Sequence, residues 1–167
     1  MGAETSGGPA TAAQRIEVAG VCDAVVRWAR TVPSVVAVGL AGSWARDAAR
    51  ADSDVDVVVL TDDVPAFVEG DGWVVPALGE AAPIVRTQQW GVLTERRVRL
   101  ASGLEVELGF ISRVWAVEPV DAGTLRVVTD GFRVLHDPHG VLARLVAVIL
   151  DESESESESE SAPPGGG

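Results

Sequence analysis

The sequence predicts an α/β chain (α+β in its layering) on three observations. An amphipathic helical stripe opens it, and two β-branched apolar runs follow, separated by a Gly-Ser turn and a pair of carboxylates. Two further strand-like runs then flank Ala101-Ser102-Gly103 in the manner of a hairpin.

Residues 1–11 are small and polar and are expected to be flexible. Over residues 11–30, Ile16, Val18, Val21, Val25, Val26 and Trp28 approximate one helical face, with Cys22 and Ala29 extending it, and Pro33 stops the helix. Residues 35–41 read as a buried strand and residues 55–60 as a second. Between them, Ser43 is placed to cap a short helix reaching Ala49.

Residues 61–86 lose periodicity at Pro65, Gly70, Gly72, Pro76, Gly79 and Pro83, which predicts loops with one or two short elements, a helix near residues 65–69 among them. Residues 91–100 and 104–111 form the hairpin. A strand is expected at residues 125–128, a short extended piece at 132–135, and a helix at 141–150 after Pro138 and Gly140. The alternating Glu/Ser tract from Asp151 onward, ending in Ala-Pro-Pro-Gly-Gly-Gly, has no apolar surface to bury and is expected to be disordered. The organisation is therefore a flexible start (1–11), one domain (12–150) and an acidic tail (151–167).

Bulk properties narrow the function. The chain has 167 residues, 47% of them apolar, and a mean hydropathy of +0.22. No apolar run approaches the roughly 20 residues of a membrane span, so no membrane partner is expected. The first residues carry neither a basic start nor an apolar stretch, and the lone Cys22 excludes an internal disulfide; a cytoplasmic location is the expectation. All 13 basic residues are arginine, so any phosphate contact has to use Arg, backbone N–H groups or a metal. Of the 25 acidic residues, six lie in the 151–160 tract, which leaves residues 1–150 with 19 acids against 13 arginines and a net charge of −6. An acidic body argues against an extended nucleic-acid footprint.

The chemistry concentrates in residues 38–60. On a strand, residues i and i+2 share a face about 6.5–7 Å apart, so Asp54 and Asp56 project together. Two like charges this close call for a cation, and a hard divalent ion such as Mg²⁺ suits carboxylate oxygens and substrate phosphates. Gly42 lets backbone approach a ligand, and Ser43 adds a hydroxyl. Further along, Leu104, Val106 and Leu108 alternate with Glu105 and Glu107, either of which can supply a third carboxylate. Taken singly, each motif has an ordinary structural explanation; their combination is the signal.

Gly42-Ser43-x-Ala45-Arg46 followed by Ser53-Asp54-x-Asp56 resembles the signature of DNA polymerase beta-like nucleotidyltransferases, and within them the bacterial minimal and antibiotic-type nucleotidyltransferase domains. Trp90-Gly91-x-x-Thr94-Glu95-Arg96-Arg97, Gly103-Leu104-Glu105-Val106-Glu107-x-Gly109 and Gly131-Phe132-x-Val134-Leu135-His136-Asp137-Pro138 are similar to a bacterial branch of that superfamily, and the resemblance spans residues 12–150.

The resemblance implies a mixed sheet flanked by helices, the nucleotidyltransferase fold. It implies that Gly42 and Ser43 grip a nucleoside triphosphate and that Asp54 and Asp56 hold two Mg²⁺ ions. Glu107, with Glu105 as second choice, would complete the metal site and activate the acceptor. Arg46 is the cation nearest the triphosphate turn; a surface pairing with Asp47 or Asp52 is the competing reading. Asp47 departs from the pattern, standing where such motifs commonly have Gly, though Asp tolerates left-handed backbone.

Two of Glu95, Arg96 and Arg97 are expected only to exchange salt bridges across strands. Trp44, Trp73, Trp90 and Trp115 suit packing or stacking, with Trp44 carrying the most functional weight. His136 and His139 read as part of a turn, and Cys22 as inert core. The expected activity is transfer of a nucleoside monophosphate from NTP to a hydroxyl of a small molecule or a protein, with release of pyrophosphate. A homodimer or partner protein could complete the acceptor side, together with the 61–89 segment. The alternative is a weak or inactive nucleotide-binding, antitoxin-like interaction module of the same fold.

Overall fold

The computed structural model describes residues 7–116 and 122–160. Helix α1 (Ala12–Thr31) begins at a capping box: the Thr11 hydroxyl accepts from Gln14 N (3.1 Å), and Thr11 N donates to Gln14 Oε1 (2.9 Å). Strands β1 (Val35–Ala41) and β2 (Val55–Thr61) follow, then helices α2 (Pro65–Val68) and α3 (Val74–Leu78). Strands β3 (Ile84–Trp90), β4 (Leu93–Arg99) and β5 (Glu105–Ile111) come next, with a 3-10 turn at Arg113–Ala116. Helix α4 (Ala122–Thr129), strand β6 (Phe132–His136) and helix α5 (Val141–Glu160) complete the chain.

The strands form one sheet in the order β3-β4-β5-β2-β1-β6. The β2–β5 pair is parallel and the other pairs are antiparallel, so the sheet is mixed, as expected. Alternation divides its faces. Val55, Val57, Val59, Val106, Leu108 and Phe110 pack under α1 and α3 with Trp28, Phe67 and Trp73. Val58, Leu60 and Ile111 face the other way, beneath Val128 of α4 and Leu142, Leu145 and Ile149 of α5. Those helices cover one end of the second face. Its other end, where β2 and β5 begin, carries the acidic side chains.

Five expectations change. Residues 125–128 are helical, not extended: Thr124 and Val128, four apart, are the buried positions of α4, and this packing overrides the β-preference of Val127 and Val128. Residues 43–47 form successive turns and 48–49 are irregular, rather than a helix through 49, because Asp47 takes a left-handed conformation (φ 57°) that ends the coil after one turn. The 61–86 region holds two short helices, α2 and α3, as expected, but also the first three residues of strand β3, which its loose pattern did not show. Strand β3 is an edge strand with mostly exposed side chains, so it shows no apolar alternation.

At the chain start, Gly7–Ala10 docks on the β1–β2 connection. Ala10 N donates to Ala49 O (3.2 Å) and Ala51 N to Gly8 O (2.9 Å). Residues 1–6 lie outside the described residues. Helix α5 continues to Glu160, through the tract expected to be disordered; once Val141–Leu150 is anchored, adding glutamate-rich turns needs no new nucleus. Residues 161–167 lie outside the described residues. Among the described residues, no helix is long and apolar enough to cross a membrane.

Candidate active site

The β1–β2 connection sets the first half of the site. Gly42 (φ 76°) follows β1 directly, and its N–H donates to Gly131 O (3.1 Å). Its carbonyl accepts from Ala45 N (3.1 Å) and Arg46 N (3.3 Å), while Ser43 O accepts from Ala48 N (2.9 Å). The turn is therefore closed by its own backbone and tied to the residue before β6. Arg46 is turned toward the same segment, its Nη1 donating to the carbonyl of Asp130, the residue before Gly131 (2.8 Å). Trp44 packs against the core, its Nε1 3.4 Å from Ser53 O.

The second half comes from register. Asp56 pairs with Glu107 across the parallel β2–β5 ladder and with Ala41 across β1–β2. Glu107 in turn pairs with Arg97 of β4, and Arg97 with Arg86 of β3. Since register partners share a face, the sheet itself gathers Asp56, Glu107, Arg97 and Arg86. Asp54, one residue before β2, and Glu105, at the start of β5, extend the row.

The cluster is densely charged. Arg97 hydrogen-bonds Glu107 and, at 2.9 Å, Glu105, and its Nη2 lies 3.3 Å from Asp54 Oδ2. Arg86 contacts Glu95 (2.6 Å) and Glu107 (3.4 Å). Arg99 holds Glu105 at 2.9 Å, and its hydrogen bonds keep the Glu105 carboxyl below the usual range. Asp56 behaves oppositely: desolvation, reinforced by Glu95, pushes its carboxyl from 3.8 up to about 6. Desolvation also raises Asp54, with Glu105 and Asp56 adding to the rise and Arg97 opposing it.

Beside the carboxylates lies a cavity of about 480 Å³. Asp56, Glu95 and Glu107 form its acidic wall, and Trp90, Leu93, Trp115 and Val127 its apolar one. Trp90 is 57% exposed at the tip of the β3–β4 hairpin.

The sequence-predicted Gly42, Asp54, Asp56, Glu105 and Glu107 thus converge. Ser43 stays in the adjacent turn, and Arg46 is engaged elsewhere. Sequence reasoning undervalued Arg97 and Glu95 and passed over Arg86. The cross-strand spacing from Glu107 was the available signal, but it needs the register of an edge strand that the sequence concealed. Trp73 is core: its Nε1 donates to Phe67 O (2.9 Å) within the buried aromatic cluster. Asp137 accepts from Ala143 N (2.8 Å), which makes the 136–140 segment the lead-in to α5. Cys22 is partly buried, and that burial raises its thiol.

The donor set suits Mg²⁺, being carboxylate oxygen throughout, and the desolvated Asp56 is a group that a bound cation would relieve. With Arg97 among these acids, no three His, Cys, Asp or Glu side chains of the described residues stand close enough together to hold an ion as they are.

Solved structures similar to the chain include the Cid1 poly(U) polymerase (TM-score 0.48, 15% identity) and a cytoplasmic RNA terminal U-transferase (TM-score 0.49, 16% identity). Each match covers 72% of this chain and 35% of the other. Cid1 in complex with the UTP analogue UMPNPP is a third, at 14% identity and TM-score 0.47, covering 72% and 41%. The chain thus spans well under half the length of these proteins. No curated protein matches it. The family model of the nucleotidyltransferase domain matches residues 24–115, more than half the chain and all of β1 through β5, and the chain belongs to that family.

Proposed function

We propose that the chain transfers a nucleoside monophosphate from an NTP to a hydroxyl, releasing pyrophosphate. The observation that carries this reading is the adjacency of Asp56 and Glu107 in the parallel ladder, with Gly42 against the Asp56 carboxylate. Membership of the nucleotidyltransferase domain family supports it.

In this reading Gly42 and Ser43 receive the triphosphate, with backbone approach made possible by the missing Cβ. Asp54, Asp56 and Glu107 would hold two Mg²⁺ ions, which would supply charge neutralisation at the attacking and leaving oxygens. The acceptor hydroxyl enters from the cavity and loses its proton to Glu107, with Glu105 as the second candidate. Its oxygen forms a bond to the α-phosphorus, and the bond to the β-phosphate oxygen breaks, the electron pair leaving with pyrophosphate. Arg46 contributes to the triphosphate side after leaving the Asp130 carbonyl. The rest of the rate enhancement is positioning. The acceptor is a small molecule or a protein side chain. Its apolar part rests on Trp90, Leu93 and Trp115, and no extended nucleic acid is needed.

The test is incubation of the full chain with each labelled NTP and Mg²⁺, alone and with cell lysate. Label entering a protein or a small molecule, and lost in Asp54→Ala, is the expected result. Equal transfer by the parent and a folded Asp54→Ala chain would overturn the site. A binding-only module of the same fold is the second reading, and Arg97 among the carboxylates is the observation in its favour. Metal-dependent ATP binding with no turnover on any acceptor would decide for it.

A further inference from the structure

Arg97 departs from what an ordinary cross-strand salt bridge requires. Its guanidinium spans the carboxylate row, reaching Glu105 and Glu107 on β5 and Asp54 at the head of β2. A structural arginine buried among acids normally satisfies its donors fully. Here Nε is buried without a hydrogen-bond partner, so the side chain is held by its two terminal nitrogens alone. The oxygens it takes through Nη2, on Asp54 and Glu107, belong to the residues assigned above to the metal. A guanidinium and a divalent ion cannot share them closely without strong like-charge repulsion. Acids outnumber bases around this point: Asp54, Asp56, Glu95, Glu105 and Glu107 face Arg86, Arg97 and Arg99. The row therefore still favours a further cation.

We propose that Arg97 is a displaceable internal cation. In the metal-free chain it neutralises the carboxylates, and a divalent ion binds only as Nη2 withdraws from Asp54 and Glu107. The Nη1 bond to Glu105 is the pivot, because Glu105 is not required for the ion and is separately anchored by Arg99. Arg97 thereby sets the metal affinity of the site without being a metal ligand. The inference rests on the reading of Asp54, Asp56 and Glu107 as the metal-holding residues.

Calorimetry of Mn²⁺ binding to the full chain, without nucleotide, tests both and separates them. Arg97→Gln is expected to bind Mn²⁺ about tenfold more tightly, the effect of removing a charge-assisted competitor. Arg99→Gln, at the exposed end of the row, should stay within about twofold. Asp56→Asn should abolish binding in either background. Equal or weaker binding by Arg97→Gln, with Asp56→Asn still abolishing it, overturns the role of Arg97 and leaves the site standing. Unchanged binding by Asp56→Asn places the ion elsewhere and overturns the underlying reading. Should Arg97→Gln fail to fold, the parent chain serves. Its Arg97 Nε–H resonance, assigned by its loss in Arg97→Lys, should shift with Mg²⁺ in step with the Asp56 amide. A resonance that stays fixed while the Asp56 amide saturates overturns the displacement.

Discussion

Gly42 lies against Asp56: a Cβ built on Gly42 would come within 2.8 Å of Asp56 Oδ2. The same residue has φ 76°, so a side chain there meets both backbone strain and the carboxylate. Gly42→Ala should therefore destabilise the chain by about 1–2 kcal/mol. It should also reduce NTP binding more than fold loss accounts for, because the methyl group displaces Asp56 and fills the space facing the phosphates. Thermal melts set beside NTP calorimetry check this. Full NTP affinity in Gly42→Ala would remove the turn from the donor site.

The elevated Asp56 carboxyl makes stability fall with rising pH. Its pKa is about 6 in the folded chain, against 3.8 ordinarily, so the folded state holds this proton the more tightly. The resulting stabilisation is complete below about pH 4 and is lost as pH rises through about 6, each pH unit between those values removing about 1.4 kcal/mol. Asp56→Asn keeps the shape and removes the charge. In chelator it should be about 3 kcal/mol more stable than the parent at about pH 7, and nearly equal to it at about pH 4. Melts across that range measure the difference, and a gap independent of pH would refute the assigned cause. Excess Mg²⁺ should narrow the gap at neutral pH if the site takes the ion, because only the parent gains from it.

Much of this site was legible because it depends on short-range order. Gly42, Asp54 and Asp56 lie on or beside adjacent strands, and the alternation of Leu104, Val106 and Leu108 put Glu105 and Glu107 on one face. Placing Glu107 beside Asp56 needed the parallel β2–β5 register, which neither the spacing nor the expected mixed sheet specified. What stayed hidden depended on tertiary context. Ile84–Trp90 forms an edge strand whose polar side chains mask its period, so the partnership of Arg86, Arg97 and Glu107 had no visible register. In α4, Val127 and Val128 mimic a strand, and only the packing of Thr124 and Val128 decides for helix.

The face opposite the acids has its own anchor. Phe110 is fully buried, stacked with Phe67 at 5.1 Å and edge-on to Trp73 at 5.1 Å. It lies on β5, three residues beyond Glu107, so it holds the strand that carries the proposed third ligand. Phe110→Ala should cost about 3–5 kcal/mol, a large part of a typical domain's stability. Phe110→Leu, which retains most of the volume, should cost less than half as much. Denaturant unfolding gives both values, and equal losses would mean that volume is not what Phe110 supplies.

Asp47 sits four residues beyond Ser43 at φ 57°, among the described residues the one non-glycine side chain with positive φ. Two properties of this residue act on the site and can be separated by substitution. The left-handed backbone favours Gly, tolerates Asn and Asp, and penalises Ala. The carboxylate charge stands in the turn proposed to receive a triphosphate, where it opposes binding. Asp47→Asn removes the charge and keeps the conformation, so it should leave the melting temperature nearly unchanged and tighten NTP binding by about three- to tenfold. Asp47→Gly should bind as tightly and be equally or more stable. Asp47→Ala removes the charge but strains the turn, and should lose about 1 kcal/mol of stability. Melting curves and NTP calorimetry on the three variants distinguish the effects. If Asp47→Asn binds NTP no better than the parent, the triphosphate does not lie near this turn, and the donor site has to be sought on the cavity side of Asp56.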